Sequence, residues 1–221
     1  MDMSFENVRW EEIWEASKDT LSMTVWSLAF TIVIGFILGL ILFLTSRRQL
    51  LEQSIVYSVL SFVVNIIRSV PFVILMITIM PFTKLITGTT FGVAGTIPPL
   101  IVAAAPFFAR LVETALREVD RGVIEAAVAM GASKWDIVSR VLLREARPGL
   151  LAAVTVTAVT LVSYTAMSGV IGGGGLGDLA LRYGYQRFQT DVMLVTVVLL
   201  IVLVQLLQTA GDLLVRRYSR K

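Results

Sequence analysis

The chain has 221 residues, 56% of them hydrophobic and only 16% charged, with a mean hydropathy of +0.81 and a formal net charge of +3. It contains no cysteine and no histidine, which excludes disulfides, thiolate or imidazole metal sites, and every Ser/His or Cys/His nucleophilic pair. The apolar residues come in long blocks, the pattern of an all-α integral membrane protein, and nothing in the charge balance suggests nucleic acid as a partner.

Residues 1–20 carry Asp2, Glu6, Glu11, Glu12, Glu15 and Asp19 against Arg9 and Lys18. They lack the basic start of a cleavable signal peptide and are expected to stay attached, outside the membrane. Trp10, Ile13 and Trp14 recur at helical spacing, which suits either an amphipathic helix at the interface or a segment docked on the bundle. A first span is predicted over 21–45, which is uncharged and long enough to cross the hydrocarbon core. Its Gly35 and Gly39 form a GxxxG pair that permits close helix packing but does not by itself assign a dimer contact. Arg47 and Arg48 follow and should face the cytoplasm.

A second span covers about 54–79 and contains NIIRSVPF, with Asn65, Arg68 and Pro71. An arginine at mid-bilayer costs about 2.5–3.5 kcal/mol on insertion scales, so Arg68 should face the bundle interior, a polar cavity or a partner. Whether it pairs with another helix or lines a solute path is open at this level. Pro71 removes a helical hydrogen bond and should kink the helix. Residues 81–99, with Gly88, Gly92 and Gly95 between two prolines, are expected to form a turn-rich outer connection. A third span then runs to about Val112, with Ala103, Ala104 and Ala105 for close packing and Pro106 for a bend, and Arg110, Glu113 and Arg117 carry the helix into the cytoplasm.

Between the third and fourth spans lies a charged, helix-forming island, EAAVAMGASKWDIVSRVLLREARP, residues 125–148. Asp120 is a plausible N-cap for a first short helix, and Gly131 stands where a helix-ending residue of positive φ is wanted. Ser133 with Asp136 resembles a capping box for a second helix, and Asp136 precedes Arg140 by four residues. Trp135, Val138, Val141 and Leu142 should share one face. The seven basic residues Arg110, Arg117, Arg121, Lys134, Arg140, Arg144 and Arg147 stand against the six acids Glu113, Glu118, Asp120, Glu125, Asp136 and Glu145. Such a near balance favours a protein partner over lipid or nucleic acid.

A fourth span covers about 149–171 and ends in SYTAMSG, where hydroxyls cluster beside a methionine and small residues. The glycines at 172–175, then Leu176, Gly177 and Asp178, form a flexible connection; no Lys-Ser or Lys-Thr follows, so a phosphate loop is excluded. The last span covers about 191–215, and Arg216, Arg217, Arg220 and Lys221 close the chain. Five spans result, with the N-terminus outside, the C-terminus inside, and no internal repeat. The acids cluster in loops, which argues against an ion-coupled carrier; a membrane scaffold without transport is the other rival class.

The island resembles the EAA loop of permease subunits of ATP-binding-cassette importers: EAA, three residues, Gly131, then nine residues before Val141 and a leucine-rich end. The resemblance implies a type I importer permease fold, 1–221 as one transmembrane domain with 113–148 as its cytoplasmic coupling loop. Glu125, Ala126, Ala127 and Gly131, with Ala132 and Ser133 nearby, would dock into a cleft of a cytoplasmic ATPase. The family commonly has proline where Arg144 stands here; Pro148 comes later, so the helix is expected to run on. NIIRSVPF, AAAPFFARLVE and SYTAMSGVIGGGGLG are similar to the permease of methionine-uptake transporters. That likeness implies a complex in a bacterial cytoplasmic membrane, of two copies of this chain, two ATPase subunits and an extracytoplasmic methionine-binding protein. ATP and Mg would then sit on the ATPase, leaving this chain without a cofactor or a catalytic role. Within that frame Met167, Tyr164, Ser163 and Ser168 are the candidate gate, Arg68 and Asn65 are further candidates for the solute path, and another amino acid is the alternative cargo.

Overall fold

The computed structural model describes residues 7–219. Asp2, Glu6, Arg220 and Lys221 lie outside the described residues. The first helix, α1 (Trp10–Thr45), has 36 residues and is therefore about 54 Å long at 1.5 Å per residue, against a hydrocarbon core of about 30 Å. Its first turns accordingly project beyond the apolar band and carry the acids. They dock on the bundle, which decides between the two readings the sequence left open. Val8, Ile13 and Ala16 pack with Leu176, Leu179 and Val192, and Asn7 donates to Asp191 through both its backbone N–H and its Nδ2, each at 3.1 Å. Thr20 Oγ1 accepts from the Leu176 N–H at 2.8 Å.

Helix α4 (Gly92–Arg117) is the centre of the bundle. It lies parallel to α1, and the GxxxG pair is what lets it approach. A β-carbon on Gly35 would stand 2.7 Å from the Ala105 carbonyl oxygen, and one on Gly39 would stand 2.5 Å from that of Ala109. The pair thus serves contact within one chain, with van der Waals packing as the gain that apolar lipid cannot supply. Buried Thr20, Thr24 and Thr157 donate to carbonyls four residues back, which satisfies their hydroxyls away from water.

The second span is broken rather than kinked. Helix α2 (Ser54–Ser69) and α3 (Phe72–Thr87) meet at 109°. Pro71 supplies no N–H, and Val70 before it takes an extended conformation, with φ −83° and ψ 126°. The pair nevertheless traverses the bundle. Tyr57 reaches Glu113 and Asn65 reaches Arg110, while Phe72, Leu75 and Met76 share a core with Leu100, Ala103 and Ala104. Partner numbers on α4 fall as α2–α3 advances, so the two run antiparallel. With α1, α4, α8 (Arg147–Ser168) and α10 (Thr190–Tyr218), which are long and apolar enough to span, the pair makes five passages. The expected outer connection over 81–99 shrinks to residues 88–91, because α3 continues through Pro81 and α4 contains Pro98 and Pro99. Prolines are tolerated in such helices when neighbours re-satisfy the freed backbone.

After α4 come α5 (Arg121–Ala129) and a rod of α6 (Lys134–Asp136), a π-helical stretch (Ile137–Leu142) and α7 (Leu143–Glu145), interrupted at Ala146 before α8 begins. Helix α8 ends in a single 3-10 turn (Gly169–Ile171), and a short α9 (Gly175–Leu179) with a π-helical stretch (Ala180–Tyr185) returns to α10. Gly174 and Gly175 hold φ near +80° and +79° in that return, and a β-carbon on Gly175 would stand 2.6 Å from Thr20 Oγ1.

Because Gly39 faces a backbone oxygen and not a yielding side chain, Gly39→Leu should lower stability by about 3 kcal/mol. Ile37→Leu, on the 52% exposed face of the same helix, should leave it unchanged. Thermal unfolding of the detergent-solubilised protein distinguishes the two.

Candidate functional site

The island forms a knob at one end of the bundle. Asp120 caps α5 by accepting from the Gly122 N–H at 2.6 Å. The helix closes with two backbone bonds, the Ala132 N–H to the Ala127 carbonyl at 3.1 Å and the Gly131 N–H to the Val128 carbonyl at 2.9 Å, the pair that defines a Schellman turn. Gly131 holds φ +78° with no atom within 4 Å of where a β-carbon would stand. Glycine is needed there for backbone conformation and not for space. Ser133 then starts the second helix: its Oγ accepts from the Asp136 N–H at 3.2 Å and donates to Asp136 Oδ2 at 2.6 Å. Asp136 also pairs with Arg140 at 3.3 Å, an exposed contact of small energetic weight.

Ile137, Val138, Leu142 and Ala146 anchor this rod in the bundle, against a core that includes Phe43 and Leu116. Trp135 does not join that face; it is 76% exposed. It sits a turn before the buried run, beyond the bundle's edge, and the π-helical stretch alters the angular step that an α-helical period assumes. The helix continues through Arg144, as the displaced proline predicts, and Pro148 falls in the first turn of α8. Of the six residues expected at the contact, Glu125, Ala126, Gly131 and Ser133 are exposed, Ala132 is half-buried, and Ala127 is buried under α5. Val128, Met130 and Trp135 leave large apolar surface on the same knob, Met130 at 81% exposure. Met and Trp gathered on a small exposed surface are what a protein contact uses.

The four candidate gate residues separate into two groups. Ser163 and Met167 share one exposed stripe of α8 with Val156, half-buried Thr160 and Val170. Tyr164 lies behind it, stacked on Phe72 at 4.4 Å between ring centroids and 2° between planes. Ser168 is buried instead: its hydroxyl donates to the Thr165 carbonyl at 2.7 Å, and its carbonyl accepts from the Gly173 N–H at 3.0 Å. It shapes the turn beyond α8 and is not on the stripe. Arg68 is exposed on α2 and makes no hydrogen bond or ion pair to another described residue. Asn65 is engaged, accepting from Arg110 Nη2 at 2.9 Å.

That contact belongs to a cluster the sequence reading missed. Glu113, expected to open the cytoplasmic loop, is 4% exposed within α4. Its Oε2 accepts from Arg110 Nη1 at 2.7 Å, and its Oε1 accepts from Arg117 Nη2 at 2.7 Å and from the Tyr57 hydroxyl at 3.3 Å. Arg110 Nη2 also donates to the Ser61 carbonyl at 3.2 Å and to its hydroxyl. The signal was present as spacing: Tyr57, Ser61 and Asn65 on one face of α2, and Arg110, Glu113 and Arg117 on one face of α4.

The Schellman turn yields a test. Gly131→Ala should cost about 1–2 kcal/mol locally, because an L-residue is strained at this φ, and Gly131→Asn should cost less. Amide hydrogen exchange at residues 131 and 132 should accelerate roughly tenfold for alanine.

A protein of Vibrio cholerae, named probable D-methionine transport system permease protein MetI, is 52% identical over 206 residues, covering 93% of this chain and 92% of that one. The methionine import system permease protein MetP of Bacillus subtilis is 50% identical over 210 residues, covering 95% of each. Among solved structures, a native crystal form of inward-facing conformations of the MetNI methionine ABC transporter matches with TM-score 0.94 and 46% identity, over 99% of this chain and all of that one. An amino acid ABC transporter crystallised with histidines matches with TM-score 0.82 at 17% identity over 98% of this chain and 100% of that one, a likeness of fold alone. The family model for the binding-protein-dependent transport system inner membrane component matches residues 31–221, and the chain belongs to that family.

Proposed function

We propose that this chain is the permease subunit of an ATP-driven methionine importer in a bacterial cytoplasmic membrane. Two copies form the translocation path and two cytoplasmic ATPase subunits grip their knobs, while an extracytoplasmic binding protein delivers the solute. ATP and Mg belong to the ATPase; this chain hydrolyses nothing. The observation that carries the reading is the knob itself, a capped two-helix projection with an exposed apolar tip, in a chain whose relatives are named for methionine transport. Glu125, Ala126 and Gly131 present its exposed part, with Ser133 beside them and Ala127 and Ala132 keeping the turn narrow.

The basic residues support an orientation with the knob inside. Gln49, next to Arg47 and Arg48, lines one crevice with Arg117 and Arg121, and Arg147 lines another with Tyr218, which follows Arg216 and Arg217. All of them lie at one end of the bundle, so the positive-inside rule puts the N-terminus outside and the C-terminus inside. The exposed α8 stripe would face the second copy across the axial path, where Met167 can close against its symmetry mate and adapt to a thioether solute. Ser163 lies beside it and Tyr164 supports it from behind. Arg68, exposed on an apolar helix, needs water, solute or a partner group in the assembly.

Vesicles containing the full complex should accumulate labelled methionine only with ATP inside and binding protein outside, and competition by D-methionine, L-methionine and other amino acids identifies the cargo. Accumulation of a different amino acid in preference would replace the substrate but keep the architecture. Gly131→Pro cannot adopt φ +78° and should reduce copurification of the ATPase by roughly tenfold or more; unchanged association and uptake would reject the knob as the contact. Met167→Ala should raise solute leak, and a variant with normal leak and normal transport would remove Met167 from the gate.

A further inference from the structure

Helix α2 is weakly held by apolar contact. Val64 is its one buried residue, packed with Leu42 and Ala109, and Tyr57 and Leu60 cover that contact in part. Ile67 packs on the core shared by Phe72 and Leu100, and the polar attachment of α2 to α4 converges on one carboxylate. Glu113 takes Arg110 on one oxygen and Arg117 with Tyr57 on the other, and Arg110 extends the set to Ser61 and Asn65. These side chains sit at the end of α4, just before α5 and the knob. At its other end α2 stops at the Val70–Pro71 break, beyond which Phe72 stacks on Tyr164 of α8, behind the Ser163–Met167 stripe.

We propose that Glu113 is a positioning residue that locks α2 to the knob end of α4, so that displacement of the knob moves α2 as one body and is delivered to the break at Val70–Pro71. The proposal rests on the reading of the knob as the ATPase contact. A buried carboxylate with its own donors on each oxygen holds a fixed geometry, since turning it breaks the contacts to α2 and to α4 together. The break absorbs the motion because its backbone has no ladder to keep it rigid, as hinges at element ends do. Arg117, with a side chain 42% exposed, leaves the cluster one positive charge in excess, and that charge is carried at the solvated rim.

The experiment compares wild type with Glu113→Gln and with the triple variant Tyr57→Phe/Ser61→Ala/Asn65→Ala, which removes the α2 side-chain partners of the cluster and leaves the Glu113–Arg117 pair intact. In vesicles holding the full complex, methionine uptake and ATP hydrolysis are measured together. Hydrolysis should stay within about twofold while uptake per ATP falls roughly three- to tenfold in both variants. An unchanged ratio, with uptake and hydrolysis either intact or falling together, assigns the cluster a structural role and overturns the proposal. Should Glu113→Gln fail to assemble, the triple variant decides alone.

Because the chain has no native cysteine, spin labels at Ile55→Cys on α2 and Thr114→Cys on α4, both exposed, give an independent measurement. One narrow distance with and without ATP is expected in wild type and a broad one in Glu113→Gln; a wild-type distance that changes with ATP overturns the lock. Absence of methionine uptake by the wild-type complex would reject the cargo and leave this distance as the test. Failure of any ATPase to bind would reject both readings.

Discussion

Helices α1 and α4 lie against each other at a separation that only glycine allows. Opposite Gly35 and Gly39 stand the carbonyl oxygens of Ala105 and Ala109, and a backbone oxygen cannot step aside as a side chain can. With lipid on the outside there is no hydrophobic gain from bringing helices together, so close contact and satisfied backbone groups must hold the bundle. Everything else is placed from α4. The α2–α3 pair is arranged along one side of it, α8 shares its core, and the knob continues from its end.

The Val70–Pro71 break and the knob are two uses of the same backbone chemistry. At Pro71 a missing N–H, with the restriction it imposes on Val70, turns one expected helix into two at 109°. At Gly131 a positive φ closes one helix and lets Ser133 cap the next within three residues. Both leave side chains exposed in a place where a single protomer has no use for them: Arg68 just before the break, and Val128, Met130 and Trp135 on the knob. The α8 stripe of Val156, Ser163, Met167 and Val170 is a third such surface. Surfaces of this kind suit one component of a larger assembly, in keeping with the chain's membership of the binding-protein-dependent transport system inner membrane component family.

Much of this was legible in the sequence, and the reasons differ from feature to feature. The spans follow from uninterrupted apolar length, the knob's helices from Asp120, Gly131 and Ser133, and the helix running through Arg144 from the absence of proline there. For the knob local rules suffice because the determining atoms lie within five residues of one another. They failed at Pro81, Pro98 and Pro99, where composition suggested a loop: Pro99 is buried in the bundle within α4, and α3 continues through an exposed Pro81. Trp135 failed for a related reason: the period was read as α-helical, and the π-helical stretch changed it. Ser168 belonged to the polar cluster by sequence but turned inward, because the chain folds back on it at Gly173.

The sequence by itself determined the solvent, the approximate limits of the membrane passages and the backbone conformation of the knob. Each of these depends on apolar length or on hydrogen bonds between near neighbours. Only the tertiary structure decided what pairs across the bundle: that Gly35 and Gly39 serve α4, that Asn65 answers Arg110, and that Glu113 is a buried junction rather than the first residue of a loop. Across the bundle those contacts join residues 45 to 70 positions apart, and which helix faces which is set by the packing of all five passages at once, a quantity that no local pattern contains.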